Sequence, residues 1–157
     1  MVVRKGRKED LGSALGLVKE LAVYESALHE VKNSVEEMEK DGFGTEPVFG
    51  FFVAENSEGI IGMSLYYFRY STWKGKILYI EDLVVTERFR RSGAGRMLME
   101  ASIDEAKKQN CNGVQWQVLD WNEPAIKFYE KYNPAKDPEW INFRIEKDQL
   151  DNYISSS

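Results

Sequence analysis

The chain has 157 residues and a formal net charge of −5, with 43% hydrophobic and 30% charged residues, the balance of an ordinary globular protein. This length suits one domain spanning residues 1–157. The negative charge argues against nucleic acid as the main partner. No apolar run is long enough to cross a bilayer, and the N-terminus lacks an apolar signal region, so we expect a cytoplasmic protein without a membrane partner. One cysteine, Cys111, and one histidine, His29, exclude an internal disulfide and multi-histidine metal sites, and we predict no metal site.

The first half of the chain alternates between strand and helix patterns. The predicted elements are a strand Val2–Lys5, a helix beginning near Asp10, a helix opening at Asn33-Ser34, and the strands Val48–Glu55 and Ile60–Tyr70. The first helix is predicted from an i, i+3, i+4 stripe of apolar residues: Leu11, Ala14, Leu15, Val18, Leu21 and Ala22. The turn at 56–59 joins the last two strands into an antiparallel hairpin.

The second half continues the alternation. It predicts a strand Leu78–Val85, a helix Gly93–Gln109, a strand Val114–Leu119, a short helix from Pro124 to Tyr132 and a last strand Trp140–Ile145. This order favours an α/β fold, a mixed sheet with helices on both faces. The crossover from the Leu78–Val85 strand to its parallel neighbour is expected to be right-handed.

The segment from Leu78 to Leu98 carries the clearest chemical signal. An apolar strand leads into the basic, glycine-bearing turn Arg90-Arg91-Ser92-Gly93-Ala94-Gly95, and a helix follows. Free amides at a helix N-terminus, the helix dipole and the small glycines together favour a bound phosphate. The turn is therefore predicted to cradle an anion.

An acidic pair, Glu81-Asp82, interrupts the same strand. Successive strand residues face opposite sides of a sheet, so only one of the two carboxylates is expected to face a cleft.

Several segments, in order along nearly the whole chain, resemble one enzyme superfamily. The Arg-x-x-Gly-x-Gly turn at 90–95 matches the signature of the GNAT N-acetyltransferases, which bind acetyl-CoA. The spermidine/spermine and thialysine N-acetyltransferase branch is the most similar one, on the segments LVKELAVYE, DGFG, YYFRYSTWKGK, LYIEDLVV and VLDWNEPAIKFYEKY. The resemblance implies the GNAT fold, acetyl-CoA as cosubstrate, a small-molecule amine as the other substrate, and a homodimer.

The resemblance also implies which residues bind the cofactor. The strand residues Leu83, Val84 and Val85 would present backbone groups to the acetyl and pantetheine portions. The turn would bind the pyrophosphate through Arg90, Arg91, Ser92, Gly93, Ala94, Gly95 and Arg96. The far end of the cofactor would meet Asn122, Glu123, Pro124 and Ala125.

Catalysis needs a base, because a primary amine with a pKa near 10.4 is neutral in only about one molecule in two thousand at pH 7. By resemblance, Glu81 is the base or amine contact, and Tyr129 donates a proton to the departing thiolate. The implied substrate-binding residues are Tyr24, Glu25, Glu81, Gln115, Trp116, Gln117 and Asp120.

Three functions remain open on the sequence. The first is an acetyl-CoA-dependent N-acetyltransferase for a small polycationic amine, such as spermidine or spermine. The second keeps this chemistry but acts on thialysine or a lysine-like amino acid. The third is a catalytically silent acyl-CoA-binding module.

Overall fold

A computed structural model of the chain describes residues 1–154, and a five-stranded sheet is its central feature. The strands are β1 (Val2–Lys5), β2 (Gly50–Asn56), β3 (Gly59–Ser71), β4 (Gly75–Val85) and β5 (Val114–Trp116), in the order β1-β2-β3-β4-β5. The first four strands pair antiparallel, and β5 pairs parallel to β4. The helices are α1 (Leu11–Tyr24), α2 (Val35–Phe43), α3 (Ala94–Lys108), α4 (Glu123–Glu130) and α5 (Lys147–Asn152).

The chain divides into two compact units, and unit 1 (residues 1–117) contains the whole sheet. Its main core joins α1 and α2 to one face of the sheet, through the buried residues Leu11, Ala14, Leu15, Leu17, Met38, Phe51, Val53, Met63 and Val84. The apolar stripe predicted for the first helix supplies Leu11, Ala14 and Leu15 to this core, and its residues Val18 and Leu21 pack against it, so the packing role of the stripe is confirmed.

Helix α3 covers the opposite face. The hydroxyls of Ser64 on β3 and Ser102 on α3, both fully buried, lie 2.8 Å apart and satisfy each other. At Gly62 a Cβ atom would lie 2.9 Å from the Val84 carbonyl oxygen and 3.1 Å from Leu98 Cδ1, so only glycine fits there without a shift. The predicted mixed sheet with helices on both faces is therefore confirmed.

A β-bulge interrupts the β3–β4 ladder at the acidic pair. Leu65 lies opposite Asp82 and Tyr66 lies opposite Ile80, so Glu81 has no residue opposite it. Such an extra residue reverses the side-chain alternation beyond it. Asp82 therefore shares the face of Leu65, the face on which α1 packs.

Strands β4 and β5 are joined over only a short distance. Their parallel ladder pairs Leu78–Ile80 with Val114–Trp116, whereas β4 continues to Val85. The predicted strand Val114–Leu119 is thus half its expected length. Beyond Ile80, β4 has no strand partner on this side within unit 1, which leaves a stretch of its backbone edge available.

Unit 2 begins at Val118 and contains α4 and α5. The predicted strand Trp140–Ile145 is wrong, because no residue in this range is in a strand and all are exposed, Phe143 at 92%. The alternating pattern gives strand propensity, but a strand also needs a neighbour to accept its hydrogen bonds. None of the strands in residues 1–154 pairs with this segment.

No helix in residues 1–154 has the length and apolar character that crossing a bilayer requires. The assignment of residues 1–157 to a single domain stays a prediction.

Candidate functional site

Three carboxylates lie near one another at the bulge of β4. Burial, then the charges of Glu81 and Glu25, raise the pKa of Asp82 to about 6. Burial also raises the pKa of Glu25, the residue that follows α1. Glu81 is exposed, and one of its carboxylate oxygens accepts a hydrogen bond from the Tyr67 hydroxyl at 3.4 Å. The expectation that Glu81 and Asp82 face opposite sides is wrong, because the bulge removes the alternation on which it rested.

The charge of this acidic cluster (Glu25, Glu81 and Asp82) is not balanced locally. Among residues 1–154, no Lys, Arg or His nitrogen lies within 4.0 Å of a carboxylate oxygen of the three. Grouped, partly buried carboxylates without a cation repel one another, and a bound cation relieves that repulsion. The cluster is therefore suited to a positively charged ligand.

Two tyrosines and an arginine extend from the acidic cluster along the same face. The Tyr67 and Tyr79 rings lie 5.4 Å apart, and the guanidinium carbon of Arg69 lies 5.1 Å from the Tyr79 ring centroid. Burial and the Glu81 charge raise the pKa of the Tyr67 phenol, while the Arg69 charge opposes that rise. Sequence reasoning did not identify Tyr67 or Arg69, although both lie in the aromatic run YYFRY that it marked as similar to the family.

The predicted anion cradle lies at the N-terminus of α3. Gly93 precedes the helix at φ +90°, and a Cβ atom there would meet nothing within 4 Å, so the space above it is open. Arg91 also has a positive φ, +65°, which is uncommon for a residue with a side chain. The amides of Gly95 and Arg96, in the first turn, meet no acceptor within the described part of the chain. An anion above Gly93 would satisfy them.

The four arginines around the cradle differ in their partners. Arg88 forms an ion pair with Glu58 at 2.9 Å, and Arg96 pairs with Glu100 at 3.7 Å. Arg90 lies with its guanidinium carbon 5.2 Å from the centre of the Tyr24 ring and donates to the Val85 carbonyl at 3.4 Å. Arg91 is exposed, and no carboxylate in residues 1–154 pairs with it.

Glu20 on α1 holds the segment that leads from β4 to the cradle. Its carboxylate accepts from the Thr86 hydroxyl at 2.7 and 2.9 Å and from the Glu87 amide at 2.9 Å. These bonds cap the short 3₁₀ turn Glu87–Phe89. Glu20 was also missed from the sequence, because its partners lie 66 and 67 positions away and no local pattern marks them.

Replacing Glu20 with alanine is expected to lower the free energy of unfolding by about 1–2 kcal/mol, since charge-assisted hydrogen bonds at a half-exposed site are lost. Urea denaturation checks the stability, and amide exchange at Glu87 checks the local effect. Lys19→Ala, on the exposed side of the same helix, is the matched control. Equal stability and equal exchange in the two variants would contradict the role of Glu20.

The other predicted substrate residues of unit 1 lie around this region. Tyr24 ends α1 beside Glu25 and under Arg90. Gln115 and Trp116 lie on β5, paired with Tyr79 and Ile80, and Gln117 follows the strand. These pairs place the end of β5 directly beside the strand segment that leads into the bulge.

In unit 2, the short helix α4 has a well-formed start. The Asn122 side chain caps it by accepting from the Ala125 amide at 3.4 Å, and Pro124 lies in the first turn, where no amide is needed. Tyr129 is half-buried, with its ring 5.2 Å from that of Phe128. Asp120 is exposed in the loop before the helix, and Glu123 is its first residue.

Comparison with known proteins supports one family. The model of the acetyltransferase (GNAT) family matches residues 17–133. The thialysine N-epsilon-acetyltransferase of Mus musculus is 36% identical over 160 residues, 94% of each chain. The spermidine/spermine N(1)-acetyltransferase-like protein 1 of Homo sapiens is 29% identical over 94% of this chain and 23% of that longer protein. An aminoglycoside N-acetyltransferase in complex with CoA superposes with a TM-score of 0.68 at 19% identity, covering 93% of this chain and 99% of its own. The chain therefore belongs to the GNAT family of acetyltransferases and has the GNAT fold.

Proposed function

We propose that the protein transfers the acetyl group of acetyl-CoA to a terminal primary amine of a small aliphatic substrate. The observation that carries this proposal is the acidic cluster of Glu25, Glu81 and Asp82, which has no cation of the described chain within ion-pair distance. The cluster lies on β4 just beyond Ile80, where the ladder with β5 ends, and next to the stretch of β4 edge that has no strand partner within unit 1. A cationic amine and an acyl group bound along that edge would meet there.

The residues present fit acetyl-CoA. A pyrophosphate is suited by the open space above Gly93, by the two amides of the first turn and by Arg91, which pairs with no carboxylate of residues 1–154. We assign the pyrophosphate to residues 90–96 and the acetyl and pantetheine portions to the β4 edge at Leu83, Val84 and Val85. The capped start of α4, from Asn122 to Ala125, is assigned to the far end of the cofactor. When bound, acetyl-CoA supplies an activated acetyl thioester.

The acidic cluster has two tasks with an amine substrate. Its charges attract the ammonium form, which predominates at pH 7, and one carboxylate must then take a proton to expose the nitrogen lone pair. Removing that proton costs about 4–5 kcal/mol at pH 7 for an amine with a pKa near 10.4. We assign proton removal, directly or through water, to Glu81, because it is exposed and oriented by Tyr67. Asp82 and Glu25 are assigned to holding the cation.

Tyr129 is proposed as the proton donor to the departing thiolate. Tyr129→Phe keeps the ring that packs on Phe128 and removes only the hydroxyl. A thiol with a pKa near 8.5 leaves with modest assistance, so kcat is expected to fall by about 10- to 100-fold, less than for loss of the base.

The control is Tyr132→Phe, since Tyr132 also contacts Phe128 and follows the same helix. Steady-state kinetics and CoA titration compare the two variants. Unchanged kcat in Tyr129→Phe would remove the assignment. CoA binding without acetylation above background, in the unmodified protein as in Tyr129→Phe, would favour the silent binding module.

Two substrate classes fit the cluster. The mouse relative is named for thialysine, an amino acid, and the human relative for spermidine and spermine, which are polyamines. The identity to the thialysine enzymes favours the amino acid class. CoA release with spermidine, spermine, putrescine, thialysine and lysine tests the proposal directly. Folded protein that acetylates none of them would refute it.

A further inference from the structure

Arg69 is an exposed cation on the face that carries the acidic cluster. It lies on β3 opposite Ile77, with its guanidinium over the Tyr79 ring. Within residues 1–154, no carboxylate oxygen lies within 4.0 Å of its nitrogens. Its hydrogen-bond donors therefore remain available for a ligand, and a guanidinium binds a carboxylate with two parallel hydrogen bonds.

A continuous row of contacts joins Arg69 to Glu81. The guanidinium covers Tyr79, the Tyr79 ring contacts the Tyr67 ring, and the Tyr67 hydroxyl donates to Glu81. The Arg69 charge also acts on both phenols, since it opposes the rise in their pKa. One positive group and several negative groups thus stand at the two ends of one aromatic strip.

The length of this strip matches a small bifunctional ligand. Glu81 and Ile77, the residue opposite Arg69, are four positions apart on β4, or about 13 Å at about 3.3 Å per residue. The guanidinium lies over Tyr79, which is only two positions from Glu81, so the gap between the charges along the strand is about 7 Å by the same spacing. In an extended lysine, six bonds of about 1.5 Å place the side-chain nitrogen about 7–8 Å from the carboxylate carbon.

We propose that Arg69 binds the carboxylate of the acceptor and thereby selects an amino acid with a terminal amine over a diamine of the same length. A polyamine is positive at both ends, so its second ammonium would meet Arg69 and be repelled. An amino acid presents its ammonium to the acidic cluster and its carboxylate to the guanidinium. This inference rests on the proposed acetyltransferase function and assigns the substrate class of the same site.

Matched substrates isolate the carboxylate. Lysine and cadaverine differ only by that group, as do ornithine and putrescine, so kcat/KM is measured for both pairs. The variants are Arg69→Gln, which removes the charge, and Arg69→Lys, which keeps a charge but not the planar fork. Lys74→Gln, an exposed cation in the turn of the same hairpin, is the control. The ratio of lysine to cadaverine is taken within each variant, so any loss of folded protein cancels.

In Arg69→Gln the lysine-to-cadaverine ratio is expected to fall by about 10- to 100-fold, the usual worth of a charge-assisted contact, mainly through a higher KM for lysine. Arg69→Lys should retain part of the ratio, and Lys74→Gln all of it. A ratio in Arg69→Gln equal to that of the unmodified protein would overturn the role of Arg69 while leaving the acetyltransferase proposal intact. Acetylation of spermidine or spermine but of no amino acid would likewise overturn the role of Arg69 alone. If the folded, unmodified protein acetylates none of these amines and not thialysine either, the proposed function fails first, and the role of Arg69 fails with it.

Discussion

Replacing Glu81 with glutamine is expected to lower kcat/KM for acetylation by about 10²- to 10⁴-fold, the usual contribution of a general base. The amide has nearly the same shape and can still accept from Tyr67, but it cannot take a proton from the ammonium substrate. Glu81 is exposed at a bulge, so the free energy of unfolding should hardly change. Steady-state kinetics measured together with urea denaturation separate the two effects.

Glu46→Gln, in an exposed loop, removes the same charge elsewhere and serves as the control. The pH profile adds a second test, because without a base the reaction depends on the small neutral fraction of the free amine. The logarithm of kcat/KM of Glu81→Gln should then keep rising with pH towards the amine pKa. If the activity of Glu81→Gln stays within about twofold of that of the unmodified protein, Glu81 is not the general base.

Asp82→Asn is expected to stabilise the protein at neutral pH and to weaken its activity. The pKa of Asp82 is raised to about 6 from an ordinary value of 3.8, so the folded state holds the proton more tightly than the unfolded state. The free energy of unfolding contributed by this group therefore falls as the pH rises from about 4 to about 6. Above that window the buried charge costs about 3 kcal/mol, at about 1.4 kcal/mol per pH unit.

The asparagine side chain of the variant does not ionise, so it carries no buried charge at any of these pH values. It should be more stable than the unmodified protein by about 3 kcal/mol at pH 8 and by less than about 1 kcal/mol at pH 4. Urea denaturation at both pH values checks the sign, and KM for the amine should rise, because one of the charges that hold the ammonium is gone. Equal stability of the two proteins at pH 8 would contradict the raised pKa.

Most of the sheet and its helices could be predicted from the sequence, because their patterns are local. The apolar stripe beginning at Leu11 predicts the first helix, and the turn at 56–59 predicts the hairpin of β2 and β3. Trp140–Ile145 shows the limit of this reasoning. Alternation reports a preference for extended backbone, whereas pairing depends on a neighbour that the sequence does not specify.

The candidate site was predictable where it depends on a turn and not where it depends on tertiary contacts. The cradle at Gly93 follows from adjacent residues. The partners of Glu20 and Glu81 come from other elements, and nothing near them in sequence indicates which residue will bond to them. In the sequence, Arg69 cannot be distinguished from any other polar residue of a strand, because its contact with the Tyr79 ring depends on the pairing of β3 with β4.

The bulge also constrains how this chain can change length. Up to Ile80, the even-numbered residues of β4 share the face of α3. Beyond Glu81, the odd-numbered residues of β4 lie on the α3 face, for example Val85, which lies beside Gly62. Deleting Glu81, the one residue between Ile80 and Asp82, would leave a strand with regular alternation but would remove the proposed base. Inserting one residue beside Glu81 would move either Tyr79 or Val84 from the face of α1 to the face of α3. Functional relatives should therefore align through this strand without gaps, while the turn at 56–59 is free to vary in length.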